Sequence, residues 1–208
     1  MASVEGTKAR VLDAAEKNFA AFGFSGASMK AIARDADVAQ GLLHYHFHTK
    51  VELYQGVIAR RSAAINEARF ERLECVDMGA ADAVEQVFEA FLAPPFDTGS
   101  VETGYPQMLA RLVVGDELDQ QLVQDNYDAC ATKFIDVLAL LLPDVERYQI
   151  GQCYLVAIGA MITAFSKTKR AETLTRTGTK PEKPAETVAR LVRFCAAGTR
   201  AFQTDNGT

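Results

Sequence analysis

Apolar positions recur along this chain at helical spacing from one end to the other, and few stretches alternate as strands do. Over residues 7–22, Val11, Leu12, Ala15, Phe19 and Phe22 form one inward stripe, and Gly23 follows as a C-cap. Phe24 is then expected to fold over a small core made with Ile32, Leu43, Phe47 and Leu53. Ser28 is a good N-cap for a short helix, on which Ile32, Ala33 and Ala36 share a face. The phase breaks at Ala36-Asp37-Val38, where Asp37 can take the left-handed backbone of a turn at low cost. A second short helix is predicted from about Gln40 to Phe47, with Leu43 and Phe47 four apart on one side. Its other side carries Gln40, His44, Tyr45 and His46 and has no apolar stripe to bury. Thr49-Lys50-Val51-Glu52 reads as a capping box that opens a long helix running past Leu73.

Further along, Val84, Val87, Phe88, Phe91 and Leu92 predict an amphipathic helix that stops at Pro94-Pro95. An irregular stretch over 96–103 leads to a helix with Pro106 in its first turn, burying Met108, Leu109, Leu112 and Val113. A helix over 116–142 is closed by Pro143. Asp144 is expected to cap the next, which runs to about Phe165. Its middle, CYLVAIGAMITAF, is apolar on every side and therefore has to be covered on every side. Residues 167–183 are polar and basic and predict a mobile loop. Pro184 opens a last helix striped by Val188, Leu191, Val192, Cys195, Thr199 and Phe202. The expected fold is all-α: a three-helix helix-turn-helix domain over 1–50, then a helical bundle over 51–208, connected by a helix over about 50–75. No Pro- or Gly-rich linker separates the two.

Composition refines this. With 208 residues, 49% of them apolar, the chain can bury a substantial core. The net charge of −5 is not that of a typical nucleic-acid binder, but it is unevenly spread. Residues 1–61 hold eight Lys/Arg against six Asp/Glu, whereas residues 62–208 hold fourteen against twenty-one, so the N-terminal part is the phosphate-facing one. Cys75, Cys130, Cys153 and Cys195 form no CxxC pair and read as small buried hydrophobes in a reducing compartment. The first residues lack the apolar run of a signal peptide. The apolar run over 153–165 falls short of the roughly 20 residues a membrane span needs. A cytoplasmic protein without a membrane partner is therefore expected. His44, His46 and His48 alternate, and residues two apart on a helix point to nearly opposite sides, so no metal site is expected there. No nucleophile elbow, phosphate loop or GxGxxG is present, so neither an enzyme nor a cofactor is expected.

The stretch over 28–53, SMKAIARDADVAQGLLHYHFHTKVEL, resembles the TetR family of bacterial transcriptional repressors. Ile32, Ala33, Ala36, Val38, Gly41, Leu43, Tyr45, His46, Phe47, Lys50, Glu52 and Leu53 fit the family's pattern in order. Asp37 stands where a turn glycine is usual, Gln40 where Lys is frequent, and His44 where Tyr is frequent. The resemblance implies a duplex DNA operator, a small-molecule effector and a homodimer. The dimer is expected through the last two helices, about 144–166 and 184–203, whose small residues allow close approach.

A helix-turn-helix places its second helix in the major groove. Gln40 and His44 are the candidates for reading base edges, Gln being suited to a bidentate contact with adenine. Ser28, Lys30, Tyr45, His46 and Lys50 are the candidates for holding phosphates, and Ala39, Gly41 and Leu42 lie against the same groove. The effector pocket is expected among Phe88, Phe91, Phe96, Tyr105, Met108, Tyr127, Cys130, Phe134, Tyr154 and Met161, apolar or aromatic groups with a few hydroxyls. No cluster of buried charges stands out, so an apolar or aromatic effector of modest size is expected. The alternative to a ligand-released repressor is a thiol-based redox regulator using Cys130 or Cys153.

Overall fold

A computed structural model describes residues 4–97, 104–165, 170–178 and 182–204. Among the described residues eleven helices occur in order: α1 (Val4–Gly26), α2 (Met29–Asp35), α3 (Gln40–His46), α4 (Lys50–Glu74), α5 (Ala83–Leu92), α6 (Pro94–Asp97), α7 (Tyr105–Val113), α8 (Glu117–Leu141), α9 (Arg147–Phe165), α10 (Arg170–Thr175) and α11 (Pro184–Thr204). There is no strand among the described residues. The all-α reading therefore holds.

The chain forms two compact units, and their division differs from the sequence boundary at residue 50. Unit 1 comprises Met1–Ala64 and Gly99–Tyr127, and unit 2 comprises Ile65–Thr98 and Asp128–Thr208. Helices α4 and α8 each contribute to both.

In unit 1, α1 buries Val11, Leu12, Ala15 and Phe19 as its periodicity requires. Phe22 does not join them and is 64% exposed. The helix breaks just after it, at Gly23, whose backbone is left-handed as a C-cap requires (φ 70°). Phe24 packs on Phe19 and Tyr54, with ring centroids 6.3 and 5.2 Å apart. Polar ties lock α1 to α4: the fully buried Glu16 accepts from Arg61 at 2.8 Å and from Arg60 at 3.2 Å. Helix α7 clasps the end of α1. Arg111 donates to the carbonyls of Phe19 and Ala20 at 3.1 and 2.9 Å. Gly104, with φ of 88°, lies where a Cβ would stand 2.6 Å from that of Ala20, so no larger residue fits. Tyr54 donates to Asp119 at 3.0 Å, and burial together with that carboxylate pushes the phenol up.

In unit 2, α11 packs on α5 and α9. Arg200 is paired with Glu85, which holds that carboxyl below the usual glutamate value. Phe96, expected in an irregular stretch, lies in the short helix α6; residues 98–103 fall outside the described ones. Asp144 is not the cap of α9. The chain turns at 143–145, and the first intrahelical bond runs from Ile150 N–H to the Glu146 carbonyl. The expectation that α9 is covered all round also fails within one chain. Ile150, Tyr154, Ala157, Met161 and Phe165 form a single buried stripe, while Tyr148, Leu155 and Val156 are 75%, 59% and 58% exposed. By length and composition alone α9, with 19 residues and an 18-residue window of mean hydropathy 1.3, would suffice to cross a bilayer. The shorter run counted from sequence missed the flanking turn. The segment expected to be a loop over 167–183 contains α10, none of whose residues is buried.

Candidate nucleic-acid interface and effector core

The reading head is built from its turns. Ser28 accepts from the Ala31 N–H at 3.1 Å and so caps α2. Helix α2 ends at Ala36, Asp37 adopts the left-handed backbone expected of it (φ 53°), and the Val38 N–H returns to the Ala33 carbonyl at 3.0 Å. Ile32 and Leu43 are fully buried and pin α2 and α3 to the core. That anchoring turns the rest of α3 outward. Ala39, Gln40, Gly41, Leu42, His44 and Tyr45 are exposed and His46 is half-buried, its ring edge-on to Tyr45 at 5.4 Å. A Cβ added at Gly41 would meet no atom within 4 Å.

The cations around this surface divide into free and engaged. Lys30 is exposed. Arg34 is bound to its neighbour Asp35 at 2.9 Å; Asn18 also donates to Asp35 at 2.9 Å, and these bonds lower the Asp35 pKa. Lys50, assigned to phosphate from sequence, is partly engaged inside the chain. Its ammonium donates to the carbonyls of Ala27 and Ser25 at 3.2 and 3.4 Å and lies 4.7 Å from the centre of the Phe24 ring. Thr49 and Glu52 make the expected cap: the Glu52 N–H donates to Thr49 Oγ1 at 3.0 Å. The Glu52 carboxylate reaches one residue further back than the usual box, to the His48 N–H at 2.9 Å.

The ten residues expected around an effector are divided between the two units. Tyr105, Met108 and Tyr127 belong to unit 1, where the Tyr105 and Tyr127 hydroxyls meet. The other seven lie in unit 2. Phe88, Phe91, Cys130, Phe134, Tyr154 and Met161 are buried and Phe96 is half-buried against Phe165. Phe91 is the hub, 4.6 Å from Tyr154 and 5.5 Å from Phe134 by ring centroids. An open cleft of about 480 Å³, lined by Arg72, Glu89, Ala93, Asp97 and the first turns of α11, includes none of the ten.

Beside the expectation that no cluster of buried charges stands out, the structure places a single one, Arg69, only 4% exposed beside Phe91. Its signal was in the sequence. Ile58, Ser62, Ile65, Arg69 and Leu73 follow at helical spacing and are all buried on α4, so Arg69 occupies an apolar stripe. Among the thiols, burial pushes Cys130 up and Cys195 up to about 11. Burial thus disfavours the thiolate form of both.

An exposed polar helix fixed behind a capped turn, on an all-helical scaffold, defines a helix-turn-helix DNA-binding protein. Residues 11–57 match the model of bacterial regulatory proteins of the tetR family, and residues 89–198 match the tetracyclin repressor-like C-terminal domain. The chain belongs to the TetR family of transcriptional regulators. It is 26% identical over 142 residues to the regulator SrpR of Pseudomonas putida, covering 68% of this chain and 62% of that protein. It is 35% identical over 88 residues to UidR of Escherichia coli (strain K12), covering 41% of this chain and 45% of UidR. The matched stretches thus span less than two thirds of both relatives. A TetR-family regulator from Bordetella parapertussis 12822 shares the fold with a TM-score of 0.68 at 17% identity, over 92% of this chain and 94% of that one.

Proposed function

We infer that this protein is a ligand-released repressor that grips a pseudo-palindromic duplex operator as a homodimer in the bacterial cytoplasm. The observation that carries the reading is the outer surface of α3, which the chain's own residues leave uncovered. Gln40 and His44 read base edges, with Ala39 and Leu42 placed for thymine methyls. Ser28, Lys30, Tyr45, His46 and the remaining proton of the Lys50 ammonium hold phosphates. Gly41 lets the α3 backbone come close.

The exposed apolar face of α9, with Phe194 of α11 at 64% exposure, is what a second copy covers. Two copies give two reading heads, with half-sites a helical turn or more apart, about 34–36 Å per turn. A small effector binds among the aromatic residues of unit 2. Helix α4 begins beside the reading head and ends in unit 2, so a shift of its far end changes the spacing of the heads. The effector has to bind the DNA-incompetent state more tightly for this to happen.

The test is selection of bound duplexes from a random pool, followed by titration with the wild type and with Gln40→Ala. An inverted-repeat consensus whose preference relaxes in the variant supports the reading. No enrichment at low ionic strength overturns it.

A further inference from the structure

Arg69 is a cation inside an aromatic core, and its partners do not neutralise it. Its Nε donates to the Phe91 carbonyl at 3.0 Å. That carbonyl needs a donor, because the residue four positions on is Pro95, which has no N–H. The guanidinium lies 4.3 Å from the centre of the Phe91 ring, and Nη1 reaches Asn66 Oδ1 only at 3.5 Å. The end of α5 offers about half a negative charge. The Cys130 thiol shares a side-chain hydrogen bond with Arg69, but burial pushes its pKa up and so disfavours a thiolate counter-charge. Ion pairs of α4 use Arg60, Arg61 and Arg72, and among the described residues none involves Arg69. A full positive charge is thus held in low dielectric with roughly half its counter-charge, an arrangement that favours an incoming anion.

A guanidinium has five donors in a planar fork that fits a carboxylate with two parallel hydrogen bonds. Nε is committed to the helix end, and the long bond to Asn66 is the contact most easily exchanged. The ring beside the fork is Phe91, which leads on to Tyr154 and Phe134. We propose that Arg69 anchors the carboxylate head of an organic-acid effector whose apolar or aromatic body lies against Phe91, Phe134 and Tyr154. This rests on the reading that unit 2 takes the effector, and it adds a carboxylate to the apolar or aromatic ligand expected from sequence.

The experiment is calorimetric titration of the full-length protein with matched acids and primary amides: 4-phenylbutyrate against 4-phenylbutyramide, and decanoate against decanamide. Wild type, Arg69→Met and Arg69→Lys are compared, and release of the selected duplex is followed in parallel. The acids are expected to bind at least about tenfold tighter than their amides to wild type, a difference of about 1.4 kcal/mol. That ratio is expected to fall to about one in Arg69→Met and to an intermediate value in Arg69→Lys, which keeps the charge and loses the fork. Equal binding of acid and amide by wild type overturns the proposal even where a variant does not fold. So does an acid preference that survives in Arg69→Met, or no binding of either acid. Release of the duplex by the amides alone would leave the effector reading standing and remove only the carboxylate anchor.

Discussion

Gly41→Ala separates what the reading head needs for folding from what it needs for DNA. Gly41 is the second residue of α3, a helix of seven residues, and an alanine Cβ there enters open space. Glycine within a helix costs about 0.5–1 kcal/mol relative to alanine, chiefly through the freedom the unfolded chain loses. Within the protein the substitution should therefore stabilise, by about 0.5 kcal/mol so near the helix start. In a chain of this size that raises Tm by about 1–2 °C, and the α3 amides should exchange more slowly. On DNA the sign reverses. If the α3 backbone approaches the groove, the added methyl stands in the contact and affinity for the selected duplex falls about tenfold or more, about 1.4 kcal/mol. No charge changes, so the slope of log affinity against log salt should match wild type. Equilibrium unfolding and a salt series of binding titrations read all three quantities. Unchanged affinity would refute close backbone approach at Gly41, and a lower Tm would refute the open space around it.

Lys30→Ala and Lys50→Ala should each lower the salt slope of DNA binding by about one. Only Lys50→Ala should also cost stability, about 1 kcal/mol in urea unfolding, because its ammonium joins two carbonyls of the α1–α2 loop. Glu16→Ala strips the shared partner from Arg60 and Arg61; with those arginines 31% and 21% exposed, a loss of about 2–3 kcal/mol is expected, at or below the lower end for a buried pair. A loss under about 0.5 kcal/mol would show that pair to be screened. The Glu85 pKa is depressed in the folded state, so its contribution is present above the usual glutamate value and lost as pH falls through the depressed one. Glu85→Gln should lower stability at neutral pH and flatten the acid limb of unfolding. Leu155→Arg with Phe194→Arg should turn a dimer into a monomer in sedimentation, and a wild type that sediments as a monomer at micromolar concentration would remove the proposed interface.

Most elements were legible because their signals are local. Caps at Ser28 and Thr49, the left-handed turn residue Asp37 and the prolines at 94, 106, 143 and 184 each act within a few residues of where they stand. Pairing over long separations was not legible. Gly23 was legible as the end of the helix, but nothing around Phe22 announces that its ring stays exposed. Nor does anything near Lys50 reveal that carbonyls 23 and 25 residues earlier are within its reach. The candidate pocket draws on both units for a related reason. Aromatic residues share a composition whether they fill a core or line a cavity, so Tyr105, Met108 and Tyr127 were grouped with residues that belong to the other unit.

Charged residues carried more information than the aromatic ones once their position on the helix was taken into account. On α4 the buried stripe passes through Ser62 and Arg69, two positions where an apolar side chain would fill the same space without a desolvation penalty. Ser62 offsets its burial by donating to the Ala59 carbonyl, 3.1 Å away, and its hydroxyl also meets Asn126 Oδ1 at 3.0 Å. Arg69 caps a helix end that Pro95 left without a donor, which accounts for a hydrogen bond but not for a full charge. A neutral donor at that position would satisfy the Phe91 carbonyl equally well. What the guanidinium adds is a fixed positive charge on the very helix that starts beside the reading head. A ligand anion arriving there would act on α4 directly, so binding and the proposed release of DNA would share one element.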